Sequence, residues 1–140
     1  WQEEVFFSRL RVGLALQQQQ ADFDRVRAAY LDAWECRPAR VEPLYYLARM
    51  CRSNNLWSQA YLFARQAWDT PLPNNDRLFV DDSIWNWKSS DELSIAAYWT
   101  GQFSESYKLC EQLMQSDELP AEHRERVAAN MEFARRKLSH

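Results

Sequence analysis

The sequence predicts an all-α fold: a solenoid of about three helix pairs with a C-terminal capping helix. One observation is a helical pattern of apolar residues that returns at an interval of 34 residues. That period is typical of helix–turn–helix units that stack on one another. The other observation is glycine content, since only two glycines occur in 140 residues. Scarce glycine favours helices over a β fold with many turns.

The clearest unit spans residues 21–38. Its apolar side chains recur at steps of three and four, which places them on one face of a helix. They are Phe23, Val26, Tyr30, Ala33 and Trp34. Asp22 precedes the stripe and is a suitable N-cap. Pro38 ends the unit, because the residue before a proline is displaced from the helical region.

The same pattern returns twice along the chain. Val26 and Ala33 are followed 34 residues later by Ala60 and Ala67. A third copy lies at residues 101–113, and the interval from Ala60 to Ser106 is 46 residues. The longer interval predicts an insertion of 12 residues between the second and third units. A short extended or helical piece is expected within that insertion, at residues 77–80.

These intervals divide one predicted domain, residues 1–140. Repeat 1 covers about 3–38, repeat 2 about 42–70, and repeat 3 about 83–117. The insertion loop covers about 71–82, where two prolines and several amide side chains favour turns. The capping helix covers about 121–138. The chain starts at Trp1 inside a helical pattern, which predicts that it is part of a longer protein.

Composition narrows the function classes. The net charge is −3, so no basic surface argues for nucleic acid or an acidic membrane. No apolar run approaches the ~20 residues of a membrane span. Three cysteines without a CxxC spacing predict reduced thiols and a cytoplasmic location. Of the two histidines, His123 and His140, only His123 has carboxylates nearby, Glu122 and Glu125, and these are typical of a solvated helix start, so no metal and no cofactor are expected.

The chain resembles the tetratricopeptide repeat family. In particular, it is similar to the repeat region after the catalytic domain of tetratricopeptide-containing family 2 glycosyltransferases. The segments that carry this resemblance are 1–8, 37–49, 60–64, 92–101 and 124–130. The resemblance implies a right-handed superhelix and a concave groove lined by the first helix of each pair. It does not imply catalysis here, because Asp81-Asp82 lacks the Asp-x-Asp spacing of those enzymes and no βαβ pattern occurs.

The repeat register selects candidate binding residues for the groove. With Ala48 and Ser94 as small packing positions, the residues expected to face the groove are Glu42, Tyr45, Arg49, Arg52, Lys88, Asp91, Ile95, Tyr98 and Trp99. In one interpretation the two arginines hold a carboxylate or phosphate, while the aromatic rings stack on a peptide or a sugar. In the other, the arginines pair with Glu42 or Asp91 and the aromatic rings pack between repeats. The lysine and asparagine of the chaperone-binding clamp are absent.

Two further groups are expected to be structural. Of Trp85 and Trp87, one is assigned to the core and the other to either a partner contact or packing between repeats. Arg37, Arg40 and Glu42 are expected to brace the turn between repeats.

The predicted function is a non-catalytic interaction or scaffold module of a glycosyltransferase, which presents a glycan acceptor or a partner. The alternative is a stand-alone adaptor that binds a peptide or protein. Dimerisation through exposed ends of the solenoid stays open. An enzyme is the third class, and the sequence offers it no nucleophile–base pair, metal set or phosphate loop.

Overall fold

The computed structural model describes residues 1–76 and 80–139. Within them the protein has seven α-helices and no strand, which confirms the all-α prediction. The helices are α1 Gln2–Gln18, α2 Phe23–Cys36, α3 Glu42–Ser53, α4 Trp57–Asp69, α5 Ser89–Trp99, α6 Phe103–Gln115 and α7 Ala121–Leu138. A π-helical turn, Ile84–Lys88, leads directly into α5. Three residues of the piece predicted at 77–80 lie outside the described part.

Each helix packs mainly on its neighbours in the chain, so the helices form successive pairs. The connections within pairs are short, which makes the two helices of a pair antiparallel. Ala48 shares a cluster with Leu93 and Cys51 shares one with Ala96, so α3 and α5 run in the same direction. The ring contacts of Trp87 with His123 and of Tyr98 with Phe133 give α7 that direction too, and α5 contacts both of the other helices. This arrangement is solenoid-like, and it places α3, α5 and α7 side by side.

Residues that are 34 positions apart in the first two pairs share the same burial. Val26 and Ala60 are equivalent positions, and both are almost fully buried. The equivalent Ala33 and Ala67 are also buried. In the third pair, 46 residues on, Ser106 is buried and its hydroxyl donates to the Ser94 carbonyl at 2.8 Å. Small side chains at these positions let consecutive helices approach closely.

The turns between the two helices of each of the three pairs have the same backbone conformation. Gln20, Asn55 and Gly101 each have a positive φ, at 58°, 59° and 82°. In every case the next residue donates its N–H to a carbonyl five positions earlier, as in Gln102 to Ala97 at 2.8 Å. This left-handed residue closes the first helix of the pair and redirects the chain. In the first pair, α1 therefore ends within the run of four glutamines at 17–20.

Gly13 provides the closest helix contact in the first pair. A Cβ placed there would lie 2.6 Å from the Cδ1 atom of Tyr30, whose ring is fully buried. The Tyr30 hydroxyl in turn donates to Gln17 on α1. Gly13 thus allows α2 to pack a large ring directly on α1.

A buried charge cluster joins the insertion to the first two pairs. Arg40 is fully buried; its Nη2 donates to Glu42 at 2.6 Å and its Nη1 to Asp76 at 3.4 Å. Arg37 donates to Asp76 through Nε at 2.8 Å. The Arg40 guanidinium also lies 4.8 Å from the centre of the Phe6 ring on α1. The bracing role predicted for Arg37, Arg40 and Glu42 is confirmed, and Asp76 is an additional member.

This cluster predicts how stability depends on pH. Hydrogen bonding from Arg37, together with the charges of Arg37 and Arg40, holds the pKa of Asp76 below its ordinary value. A carboxyl whose folded-state pKa is lowered stabilises the fold above its unfolded-state pKa and loses that effect as pH falls. We expect Asp76→Asn to lower the unfolding free energy by about 1–3 kcal/mol at pH 7. In urea titrations at several pH values, this difference should shrink below about pH 4. A difference that stays constant down to pH 3 would contradict the assignment.

The two tryptophans of the π-helical turn pack on opposite sides. Trp85 joins the apolar cluster built from α1, α2 and α3, and Trp87 joins the cluster of α6 and α7 that contains Cys110 and Val127. Only 7% and 8% of their surfaces are exposed. Both residues therefore pack in the core, and the turn connects the two halves of the core.

The C-terminal helix α7 packs on α6 and buries Val127 and Ala134. Its opposite face is charged, and Glu132 accepts hydrogen bonds from Arg135 and Arg136. Both features match the predicted capping helix. In the described part of the chain, no helix combines the length and apolar character needed to cross a membrane.

Candidate functional site

A groove of about 500 Å³ lies along α3, α5 and α7. Its walls carry four Arg or Lys side chains and three Asp or Glu side chains. The complete lining is Tyr45, Arg49, Arg52, Trp87, Lys88, Asp91, Glu92, Ile95, Glu122, His123 and Arg126. We call this surface the groove. Six of the residues expected to face the groove are the candidates for binding a partner: Tyr45, Arg49, Arg52, Asp91, Tyr98 and Trp99. The first four line the groove together.

Side-chain pairs across α5 fix the floor of the groove. On the α7 side, Trp87 lies 5.0 Å from His123 between ring centres, and Asp91 accepts from Arg126 at 2.7 Å. On the α3 side, Glu92 accepts from Arg52 at 2.8 and 3.1 Å. These contacts join α3, α5 and α7 to one another. They therefore hold the side chains of the groove in fixed relative positions.

Arg52 and Asp91 are both occupied by these ion pairs. Arg52 pairs with Glu92, and Asp91 pairs with Arg126, so the two candidates brace the groove. Arg52 and Asp91 therefore fit the interpretation in which the charged side chains of the groove pair with one another. The partner of Arg52 is Glu92, whereas the sequence suggested Glu42 or Asp91. Glu42, expected to face the groove, is instead buried against Arg40, because the charge cluster under the insertion holds it there.

Arg49 differs from the other basic side chains of the groove. Lys88 lies 3.7 Å from Asp81, and Arg52 and Arg126 are paired as above. Arg49 is exposed, and within residues 1–76 and 80–139 it forms no ion pair. Its guanidinium carbon lies 5.7 Å from the centre of the Tyr45 ring. The structure therefore presents one uncompensated cation at the α3 wall.

A cluster of three tyrosines supports Arg49 from below. Tyr30 stacks on Tyr46 at 5.7 Å, and Tyr46 meets Tyr45 at 5.4 Å between ring centres. Burial raises the pKa of all three phenols, and the positive charge of Arg49 opposes that shift in each. Neutral rings stabilise a nearby guanidinium without cancelling its charge. Arg49 also lines an adjoining cleft of about 530 Å³ with Leu14 and Gln17 of α1, so it is accessible from two sides.

Tyr98 and Trp99, the other two predicted binding residues, continue the floor beyond the end of the groove. Tyr98 lies 6.4 Å from Phe133 of α7 and 5.4 Å from Phe103 of α6. Trp99 stacks on Trp57 at 5.2 Å, with the planes inclined by 19°. Both therefore pack between helices, yet 58% of the Trp99 surface is exposed. They do not line the same cavity as Arg49.

The contribution of α7 was not anticipated from the sequence. Glu122, His123 and Arg126 form one wall of the groove. The available signal was the spacing of His123 and Arg126, which places both on one face of a helix. If α7 is interpreted only as a capping helix, these side chains are expected to face solvent.

The described residues offer little for covalent or metal chemistry. Burial raises the pKa of the Cys51 and Cys110 thiols to about 11, so both stay protonated at neutral pH. Cys36 is partly buried, and all three thiols are free. No group of three or more potential metal-ligating side chains comes together within residues 1–76 and 80–139. The arrangement is suited to binding by charge and ring contacts.

The chain matches no protein-family model, no curated protein and no solved structure.

Proposed function

We propose that the protein is a non-catalytic interaction module that binds an extended, acidic peptide segment of a partner protein in the groove. The observation that carries this proposal is Arg49, the exposed cation that lacks an ion pair on the α3 wall. An arginine with an open guanidinium is a strong receptor for a carboxylate, because it offers parallel N–H donors.

The shape of the groove supports a chain-like ligand. The lining of the groove follows α5 from Lys88 to Ile95, and Tyr98 and Trp99 continue the same surface beyond it, over about 16 Å in all at the rise of an α-helix. An extended peptide covers that length with about five residues. The groove volume of about 500 Å³ is within the ordinary range for ligand sites.

The internal ion pairs support selectivity for an acidic ligand. Arg52 and Arg126 are neutralised by Glu92 and Asp91, so they add no net charge near Arg49. An incoming carboxylate meets one free cation on the α3 wall. A basic ligand residue placed against the α3 wall would be repelled by Arg49, so we expect an acidic residue to be preferred at that wall.

The proposed binding of an acidic peptide is argued from the groove residues alone. Association with a glycosyltransferase, implied by the resemblance described above, remains a prediction. It requires an α/β domain with an Asp-x-Asp motif in the same polypeptide or in a partner, and turnover of a nucleotide sugar by that assembly would test it.

Replacing Arg49 tests the proposed function directly. Random dodecapeptides displayed on phage would be selected on the wild-type protein, and enriched peptides synthesised. We expect a shared acidic residue in them. Arg49→Ala should weaken their binding by about 10- to 100-fold, since a charge-assisted hydrogen bond contributes about 1.5–3 kcal/mol. The melting temperature should be unchanged, because Arg49 is exposed.

Arg25→Ala is the matched control. Arg25 is an exposed arginine on α2, away from the groove, and its loss removes the same charge. Binding by Arg25→Ala should equal that of wild type. Enriched peptides without an acidic residue, or equal affinity of the Arg49→Ala and Arg25→Ala proteins, would refute the proposed function.

A further inference from the structure

An aromatic patch lies at the end of the groove where α5 terminates. It consists of Trp57, Tyr98, Trp99, Phe103 and Phe133, which come from α4, α5, α6 and α7. Each ring lies within 6.4 Å of another member of the patch. The Tyr98 ring meets Trp99 nearly at right angles, at 88° and 5.3 Å. The patch is therefore a surface of closely spaced rings that are inclined to one another.

Two members of the patch are exposed to solvent, and the other three are partly buried. Trp99 is 58% exposed and Phe133 is 48% exposed. Other exposed large apolar residues, such as Leu62 on α4 and Val12 on α1, belong to none of these ring contacts. A contiguous exposed aromatic surface at the end of a groove is typical of a binding site.

We propose that the aromatic patch binds a proline-rich part of the same partner segment whose acidic residue binds Arg49. This inference rests on the proposed function, because it assigns a second subsite to that ligand. A proline-rich segment adopts the polyproline II conformation before binding, and it is recognised by exposed, closely spaced aromatic rings.

Hydrogen-bonding groups at the patch fit such a segment. Trp99 and Tyr98 form no hydrogen bond within the described part of the chain, so the indole N–H and the phenol can donate. A polyproline II segment has no internal hydrogen bonds, and its carbonyl groups accept from such donors. The pairing is complementary, since the patch supplies donors where the peptide has mainly acceptors.

The polar side chains next to the aromatic patch are less suited to binding a sugar than a peptide. The Thr100 hydroxyl already donates to the Ala96 carbonyl at 2.8 Å, and Gln102 donates to Thr100 at 3.2 Å. The Gln102 oxygen accepts from Tyr61 at 3.0 Å. A sugar lying on Trp99 would need partners for its hydroxyl groups, and these residues are engaged with one another. The peptide is therefore the occupant that the contacts favour.

The spacing of the two subsites follows from the helix contacts. Arg52 faces Glu92, Arg49 is one turn before Arg52, and Trp99 is two turns after Glu92. The separation along the groove is about 15 Å at 1.5 Å per residue. A polyproline II segment covers this distance in about five residues at 3.1 Å each. The acidic residue and the proline at Trp99 should thus be about five positions apart.

Synthetic decapeptides test this assignment with the intact chain. One peptide carries a glutamate and, five positions away, three consecutive prolines, and it is made in both orders. Matched peptides replace either the prolines by glycine or the glutamate by glutamine. Binding would be measured by fluorescence anisotropy with wild type, Trp99→Ala and, as a control, Leu62→Ala. Leu62 is an equally exposed apolar residue on α4, outside the patch.

For one order of the peptide, we expect at least tenfold tighter binding by the proline version than by the glycine version. Trp99→Ala should abolish that ratio, and Leu62→Ala should preserve it. The glutamate-to-glutamine ratio should persist in Trp99→Ala, because it depends on Arg49.

Equal binding of the proline and glycine peptides would overturn the assignment of the patch and leave the proposed function intact if the glutamate ratio remains. Loss of the glutamate ratio in wild type would instead refute the proposed function. Quenching of tryptophan fluorescence by cellohexaose, abolished in Trp99→Ala, together with no proline preference would show that the patch binds sugars.

Discussion

Ala60→Arg is expected to unfold the protein. Ala60 lies on α4 between α3 and α5, where it is 2% exposed and contacts the cluster of Cys51 and Ala96. An arginine there cannot reach solvent without separating the helices, and no acidic partner belongs to the cluster. Burying a charge without a partner costs more than about 4 kcal/mol, comparable to the whole stability of many domains. Far-ultraviolet circular dichroism and thermal melting would show the loss of helix.

Leu62→Arg provides the control for this variant. Leu62 is on the same helix, two residues away, and is 62% exposed. The same added charge should change stability by less than about 0.5 kcal/mol at this exposed position. If Ala60→Arg melted together with wild type, the 34-residue register and the packing of α4 would be wrong.

Arg40→Met should produce the second large effect. It leaves the carboxylate of Glu42 buried without its main partner, and it removes the contact with Phe6. Removing one member of a buried ion pair costs about 3–5 kcal/mol, because the remaining charge stays desolvated. Urea denaturation of the variant should show this loss as a lower midpoint with little change in slope.

The double variant Arg40→Met with Glu42→Leu distinguishes the effect of breaking the ion pair from the effect of changing the packing. Replacing both charges with apolar side chains of similar size should recover most of the stability, since no uncompensated charge then remains. A double variant less stable than Arg40→Met alone would contradict this account. It would show that the carboxylate of Glu42 is stabilised by other groups.

The helix pairs could be predicted because their determinants are local or periodic. Asp22 caps α2 by accepting from the Arg25 N–H at 2.9 Å, as its position before an apolar stripe predicts. The alanines at the 34-residue interval identify close helix contacts because only small side chains fit there. α7 spans Ala121–Leu138, which matches the predicted range of about 121–138, because Pro120 precedes the helix and fixes where it begins.

Other contacts could not be predicted because they join segments without a shared period. Asp76 lies in the insertion, and its pairing with Arg37 and Arg40 depends on how that loop returns to the first two pairs. Trp85 and Trp87 both pack because the π-helical turn changes the direction of their side chains relative to a regular helix.

In the groove too, the positions of residues could be predicted from the sequence, but their ion pairs could not. The repeat register correctly placed Tyr45, Arg49, Arg52 and Asp91 on one surface. It could not show which charges are already paired, since Glu92 and Arg126 come from α5 and α7 and meet their partners only in the folded chain. The structure thus separates Arg49 from candidates of the same residue type.

The central claim is that α3, α5 and α7 form a peptide-binding groove with Arg49 as its anion receptor. Chemical-shift mapping of the ¹⁵N-labelled protein, titrated with the glutamate-containing decapeptide, tests it most directly. The account predicts shifts of the Arg49 Nε–H signal and of backbone signals along α3, α5 and α7, which are absent for the glutamine peptide. Shifts confined to α2, α4 and α6, or an unchanged Arg49 signal at saturation, would contradict it.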